Sequence, residues 1–223
     1  MTRTPQEKGV AVTFIEVIPE ATASGDVESM YEGDRRTFGF VPNFTQAFSR
    51  RPRVYAAWRQ LNGAVKANMD PRRYELATLA AAARLRSSYC ALAHGSVLIE
   101  NFLDPEAIPA VMADYRSAEL EPVEVAVMSL ADKVAHDATL VTHEDIEGLR
   151  QFGLTDGEIT DVILAAAARS FFSKALDALG VAPDAKYAEL DPAIRDSLTV
   201  GRAIAAPDSQ PPSSPNESGR SVQ

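Results

Sequence analysis

Residues 75–94 read ELATLAAAARLRSSYCALAH, and this stretch holds both the helical pattern and the chemistry. The apolar run reads as a helix that stops near Arg84 to Arg86. Ser87 is then placed as the N-cap of a second helix. Cys90, the only cysteine of the chain, becomes the third residue of that second helix, where free backbone N–H groups and the helix dipole favour a thiolate. His94 follows four residues later, on the same helical face, where it can hydrogen-bond the sulfur or pass a proton. Glu75 lies near the start of the first helix; if the two helices run antiparallel, its carboxylate reaches the site directly or through water. Thiol, imidazole and carboxylate are together the parts of a proton-relayed thiol reaction.

Working outward, the rest of the chain to about residue 204 reads as helices joined by short loops. Val54, Trp58, Leu61 and Val65 recur at helical spacing and predict a core-facing stripe. Val123, Val127, Leu130 and Val134 repeat the pattern. Asp70-Pro71 pairs a capping side chain with a proline suited to a first turn. Thr142 to Asp145 and Thr155 to Glu158 resemble capping boxes. Asp104-Pro105-Glu106 opens another helix, and Gly153 and Gly180 stand where helices stop. Alanine dominates around Ala77–Ala83 and Ala165–Ala168, which predicts close helix packing inside the chain in preference to a subunit contact. Val10 to Val17 is the one stretch that reads as extended. The fold class is all-α: an arm over 1–20, a helical domain over 21–204 and, from its Pro- and Ser-rich composition, a disordered tail over 205–223.

Composition excludes several roles. With 22 basic against 31 acidic residues the net charge is -9, a surface that repels nucleic acid and anionic membranes. The apolar stretches are too short to span a bilayer, no secretory pattern is read at the start, and a single cysteine gives no disulfide framework. The expectation is a cytoplasmic protein. One cysteine and one histidine supply too few ligands for a metal, since His136 and His143 lie in a distant segment. His143 reads as a first-turn residue and His136 as a last-turn one. No nucleotide, flavin or haem motif is present, so no cofactor is expected.

The spacing from Glu75 through Ser87 and Cys90 to His94 resembles the alkylhydroperoxidase D-like (AhpD-like) branch of the carboxymuconolactone decarboxylase family, which carries Glu, eleven residues, Cys-x-x-Cys, three residues and His. Similarity to the family's peroxidase-related members extends over roughly residues 20–185. It includes Gly39-Phe40-Val41-Pro42-Asn43, Arg51-Pro52, Tyr89 to Gly95, Val141-Thr142 and Leu149 to Gly153. The resemblance implies an AhpD-like helical bundle that assembles as a dimer, trimer or hexamer. It also implies that Cys90 is the peroxidatic thiol, Glu75 the proton acceptor and His94 a relay. Tyr89 occupies a position that is often His. Phe171-Phe172-Ser173-Lys174 stands where many relatives have an Asn-Arg pair.

Ser87 is the departure that matters, because it replaces the resolving cysteine and a hydroxyl cannot form a disulfide. The leading expectation is therefore a one-cysteine, peroxiredoxin-type peroxidase that takes a small hydroperoxide and an external thiol reductant, with Ser87 as a polar orienter. Two others stand beside it. One is decarboxylase-type acid–base chemistry by Glu75 and His94, weakened by the lack of a clear anion-binding arginine, since Arg84 and Arg86 read equally as solvated turn residues. The other is a non-catalytic helical scaffold in which Cys90 is an inert buried residue.

Overall fold

The computed structural model describes residues 13–206, which form ten α-helices and no strand. In chain order these are α1 Asp26–Phe38, α2 Asn43–Ala47, α3 Pro52–Lys66, α4 Pro71–Arg84, α5 Ser88–Asn101, α6 Ala107–Asp114, α7 Pro122–Asp137, α8 His143–Gln151, α9 Asp156–Ala178 and α10 Pro192–Leu198. The fold is all-α, as the sequence predicts. The tail expected beyond residue 206 and the arm before residue 13 lie outside the described residues. Ala205 is itself buried, and its N–H donates to the Pro183 carbonyl at 2.9 Å.

Helix α4 is the centre. Nine consecutive residues, Tyr74 to Ala82, are buried, so the helix is covered on every side, by α5, α7 and α9. Alanine makes this possible, because its short side chain lets neighbouring backbones approach closely. Ala165, Ala166 and Ala168 of α9 are buried in the same way, which bears out the intrachain reading of both alanine runs. The α4–α5 corner is short. Arg86 adopts a positive φ of 55°, the Ser87 N–H reaches back to the Ala82 carbonyl at 2.9 Å, and α5 starts at once. That left-handed residue closes the last turn of α4 and folds α5 back along it.

The start signals perform as read. The Asp70 carboxylate accepts from the Arg73 N–H at 2.9 Å, and full capping boxes form at Thr142 with Asp145 and at Thr155 with Glu158. Gly153 and Gly180 take positive φ at helix ends. Asp104-Pro105-Glu106 makes a turn that precedes α6 rather than its first residues. The extended reading of Val10 to Val17 does not hold over its described part, where residues 13–15 bend and no strand forms.

One stripe needs correction. On α3, Val54 and Leu61 are 43% and 51% exposed, while Tyr55, Trp58, Asn62 and Val65 face inward. The buried register is shifted by one residue at two of the four positions. A polar contact decides it: Asn62 accepts the Tyr74 hydroxyl at 2.9 Å, so this amide is drawn inward and Leu61 is left outside. The α7 stripe stands, with Val127 and Leu130 buried and Val123 and Val134 packed at the edge of the core.

The C-terminal segment locks the start of α5, since the Gly201 N–H donates to the Ser88 hydroxyl at 2.8 Å. A Cβ on Gly201 would be driven into the Arg86 carbonyl oxygen, whereas one on Gly63, mid-helix in α3, would meet open space. Gly201→Ala is therefore expected to lower stability by about 1–3 kcal/mol, and Gly63→Ala to raise it by roughly 0.5–1 kcal/mol. Urea unfolding of the two variants checks the contrast in sign.

Candidate active site

Antiparallel packing of α5 on α4 brings Glu75 to His94. The carboxylate Oε2 and the imidazole Nδ1 are 2.5 Å apart, and the other oxygen, Oε1, accepts from the Lys66 ammonium of α3 at 2.9 Å. Glu75 is 2% exposed. Burial works to raise its carboxyl pKa, but the bonds and charges of His94 and Lys66 override that and hold it well below the ordinary value. His94 is pushed the other way for a cation: burial first, then the charge of Arg169, bring it down to about 4 against the pull of Glu75. The pair at neutral pH is thus a carboxylate and a neutral imidazole. Nδ1–H donates to Glu75, and Nε2 keeps its lone pair. The ring retains 13% exposure, and Lys66 beside it is 48% exposed, so solvent reaches the cluster at this edge.

Cys90 is the third residue of α5, as expected, and is 2% exposed. Its hydrogen-bond partner is Arg169 of α9, whose guanidinium lies 3.6 Å from the sulfur. The second guanidinium nitrogen donates to the Tyr74 hydroxyl at 3.5 Å, and the Tyr74 ring stands edge-on to His94 at 6.0 Å between centroids. Trp58 and Phe172 present ring faces to the same guanidinium. Glu75, His94, Tyr74, Arg169 and Cys90 are therefore one connected cluster. No hydrogen bond joins His94 to the sulfur among the described residues. The sites a metal would need are lacking too, as no cluster of three or more His, Cys, Asp or Glu forms among them.

Ser87 departs from expectation. It holds the N-cap position of α5, but its side chain makes no capping bond. The hydroxyl is turned inward and fully buried beside Asp177, close enough to oppose the upward push of burial on that carboxyl but short of a hydrogen bond. Among the described residues no hydrogen bond joins it to the sulfur. Arg84 and Arg86 are also outside the site: the first pairs with Asp132 at 2.6 Å and the second donates to the Val200 carbonyl. Tyr89 points away from the cluster to hydrogen-bond Asp184. At the Phe171–Lys174 position, Phe172 stacks on Trp58 with centroids 3.8 Å apart.

The residue that sequence reasoning missed is Arg169. It follows an alanine run and falls on the buried face of α9 with Val162, Ala166, Ser173 and Leu176, at steps of four, three, four and three. An arginine in a buried stripe was the available signal.

Residues 52–133 match the sequence model of the carboxymuconolactone decarboxylase family, a segment that contains Glu75, Ser87, Cys90 and His94. Among solved structures, the chain is similar to an alkylhydroperoxidase AhpD core described as an uncharacterized peroxidase-related protein from Ralstonia eutropha JMP134, with 23% identity over 79% of this chain and 94% of that one, and a TM-score of 0.72. A second uncharacterized peroxidase-related protein, from Silicibacter sp. TM1040, aligns at 20% identity over 84% and 98% of the two chains, also with a TM-score of 0.72. The debrominase Bmp8, solved as a cysteine-to-alanine variant with 2,3,4-tribromopyrrole, aligns at 14% identity over 83% and 96%, with a TM-score of 0.64. At these identities the likeness is one of fold, and the fold is AhpD-like. No curated protein matches by sequence. No helix among the described residues is long and apolar enough to cross a membrane.

A buried neutral imidazole makes the protein acid-labile. Unfolding frees His94 to take up a proton at its ordinary value of 6.5, whereas in the fold it does so only near 4. The unfolded state therefore binds more protons between those limits, and stability falls as pH drops through that window. Glu75, held down in the fold, adds a loss of the same sign at still lower pH. Chemical denaturation at stepped pH is expected to show this slope, and His94→Gln to flatten its upper part.

Proposed function

With residues 52–133 a segment of the carboxymuconolactone decarboxylase family, on an AhpD-like fold, we propose that this chain is a thiol peroxidase that reduces small hydroperoxides at Cys90 with electrons from an external thiol. The observation that carries the reading is the Glu75–His94 hydrogen bond, which prepares a base one helical turn from the only thiol. Glu75 fixes the tautomer, and His94 Nε2 is left to take a proton.

In the cycle, the Cys90 thiol loses its proton and the sulfur attacks the terminal oxygen of the hydroperoxide. The S–O bond forms as the O–O bond breaks, and the departing alkoxide takes the proton by way of His94. An alcohol and a Cys90 sulfenic acid result. Because Ser87 offers no second sulfur, an outside thiol condenses with the sulfenic acid and releases water. A second outside thiol then displaces the first as a disulfide and restores Cys90. Burial of the sulfur favours small peroxides over bulky ones.

Decarboxylase-type acid–base chemistry is the second reading, and one observation favours it. The Glu75–His94 pair is complete without Cys90, and Arg169 is a buried cation of the kind that the lyase reading lacked at the level of sequence.

Hydroperoxide consumption with an external thiol is expected to disappear in Cys90→Ala and to fall on the order of 100-fold in His94→Gln. Turnover unchanged by Cys90→Ala would overturn the peroxidase reading. Activity on a lactone acid that survives Cys90→Ser and is lost in His94→Ala would establish the second.

A further inference from the structure

We propose that Cys90 and Arg169 form a buried ion pair, so that the sulfur is carried as a thiolate, charge-balanced by the guanidinium, before any substrate arrives. Its use in catalysis rests on the peroxidase reading; the pair itself does not.

The argument begins with a cation that has no carboxylate. Arg169 is 4% exposed, and among the described residues no Asp or Glu lies within ion-pair distance of it. A charged group taken out of water needs an opposite charge or a full set of hydrogen bonds. Arg169 has only part of such a set: one nitrogen on the Cys90 sulfur, one on the Tyr74 hydroxyl, and a buried Nε with no partner. Tyr74 cannot be the counter-ion, because its hydroxyl hydrogen is donated to Asn62. That leaves the sulfur. The aromatic faces of Trp58 and Phe172 support the guanidinium but supply no charge.

The local charge count agrees. Two cations, Lys66 and Arg169, stand against one carboxylate, Glu75, which is already bonded to Lys66 and His94, and a thiolate brings the cluster to neutrality. The sulfur meets Arg169 from α9 directly; Tyr74 and His94 are linked to it through that guanidinium, and Glu75 through His94. Tyr187 from the turn Ala185–Glu189 has its phenol pushed up by burial, by Asp184 and by charge on Cys90. Arg169 is the one among these placed to favour negative sulfur. It stays cationic, since the interaction with Cys90 and Tyr74 more than offsets its burial. The division of labour follows: Arg169 makes the nucleophile, while neutral His94, held by Glu75, relays to the leaving alkoxide a proton that solvent supplies at the edge beside Lys66.

Because the chain has one cysteine, its thiolate ultraviolet absorbance reports this site alone, with Cys90→Ser as the blank. An unassisted thiol is about 3% ionised at pH 7. The wild-type protein is expected to be more than about half ionised there, on the order of a fifteen-fold gain, and to lose the signal on acidification. Arg169→Gln is expected to return it to the unassisted level. A wild-type signal at the unassisted level, or an Arg169→Gln signal equal to wild type, overturns the ion pair. If circular dichroism shows that Arg169→Gln does not fold, Arg169→Lys decides. The ammonium keeps the positive charge, so a signal well above the unassisted level supports the pair and one at the unassisted level overturns it. A strong thiolate signal without hydroperoxide turnover keeps the pair and removes the peroxidase reading; turnover without the signal does the reverse.

Discussion

The structure depends on a carboxylate placed where a carboxylate is costly. Glu75 lies on α4, a helix wrapped by neighbours on all sides, and an ionised group there is tolerated only if both oxygens are satisfied. They are: Lys66 binds one and His94 the other. Because these partners come from α3 and α5, the buried charge fixes three helices in register at one point. Breaking either contact would leave charge uncompensated in the core, so the geometry that suits proton transfer is also required for packing. The alanine surface of α4 serves the same end, letting α5 lie close enough for the 2.5 Å contact to form.

Much of this was legible in the sequence because it is local. The break at Ser87, the placement of Cys90 in the first turn and the i, i+4 relation to His94 follow from helical period alone, and the capping residues of α4, α8 and α9 declare themselves within four positions. What the sequence hid is what the helices bring together. Arg169 lies 79 residues from the sulfur it touches, and no spacing rule connects them. The α3 stripe differs from its apolar pattern for a related reason. Apolarity favours Leu61 over Asn62 as a core residue, but the choice belongs to Tyr74, whose hydroxyl needs an acceptor there. Ser87 was placed correctly and given the wrong task, because an N-cap position does not oblige the side chain to cap.

The fold accommodates more than one chemistry. Proteins described as peroxidase-related and as a debrominase share this helical arrangement, so the arrangement does not select among reactions. Selection has to come from the few side chains along the α4–α5 contact and from what α9 adds to it. In this chain those are a carboxylate bonded to a neutral imidazole, a single sulfur, and a buried guanidinium laid against that sulfur. The electropositive half of the setting that reactive thiols require is met by Arg169, while the accessible half is weak: the sulfur is buried, and the cluster meets solvent at half-exposed Lys66 and at the little-exposed ring of His94.

Burial and the loss of the resolving thiol act on the same atom in opposite directions. A hydroxyl at Ser87 cannot close a disulfide, so any oxidised Cys90 must await a sulfur from another molecule. At 2% exposure the same sulfur is open only to small molecules, whether peroxide or reductant. Burial also restricts the reductant, since a bulky protein thiol meets packed side chains before it meets the sulfur. In the proposed cycle this packing favours a small external thiol. On the proposed peroxidase cycle, position 87 calls for an outside molecule and the packing around Cys90 limits its size.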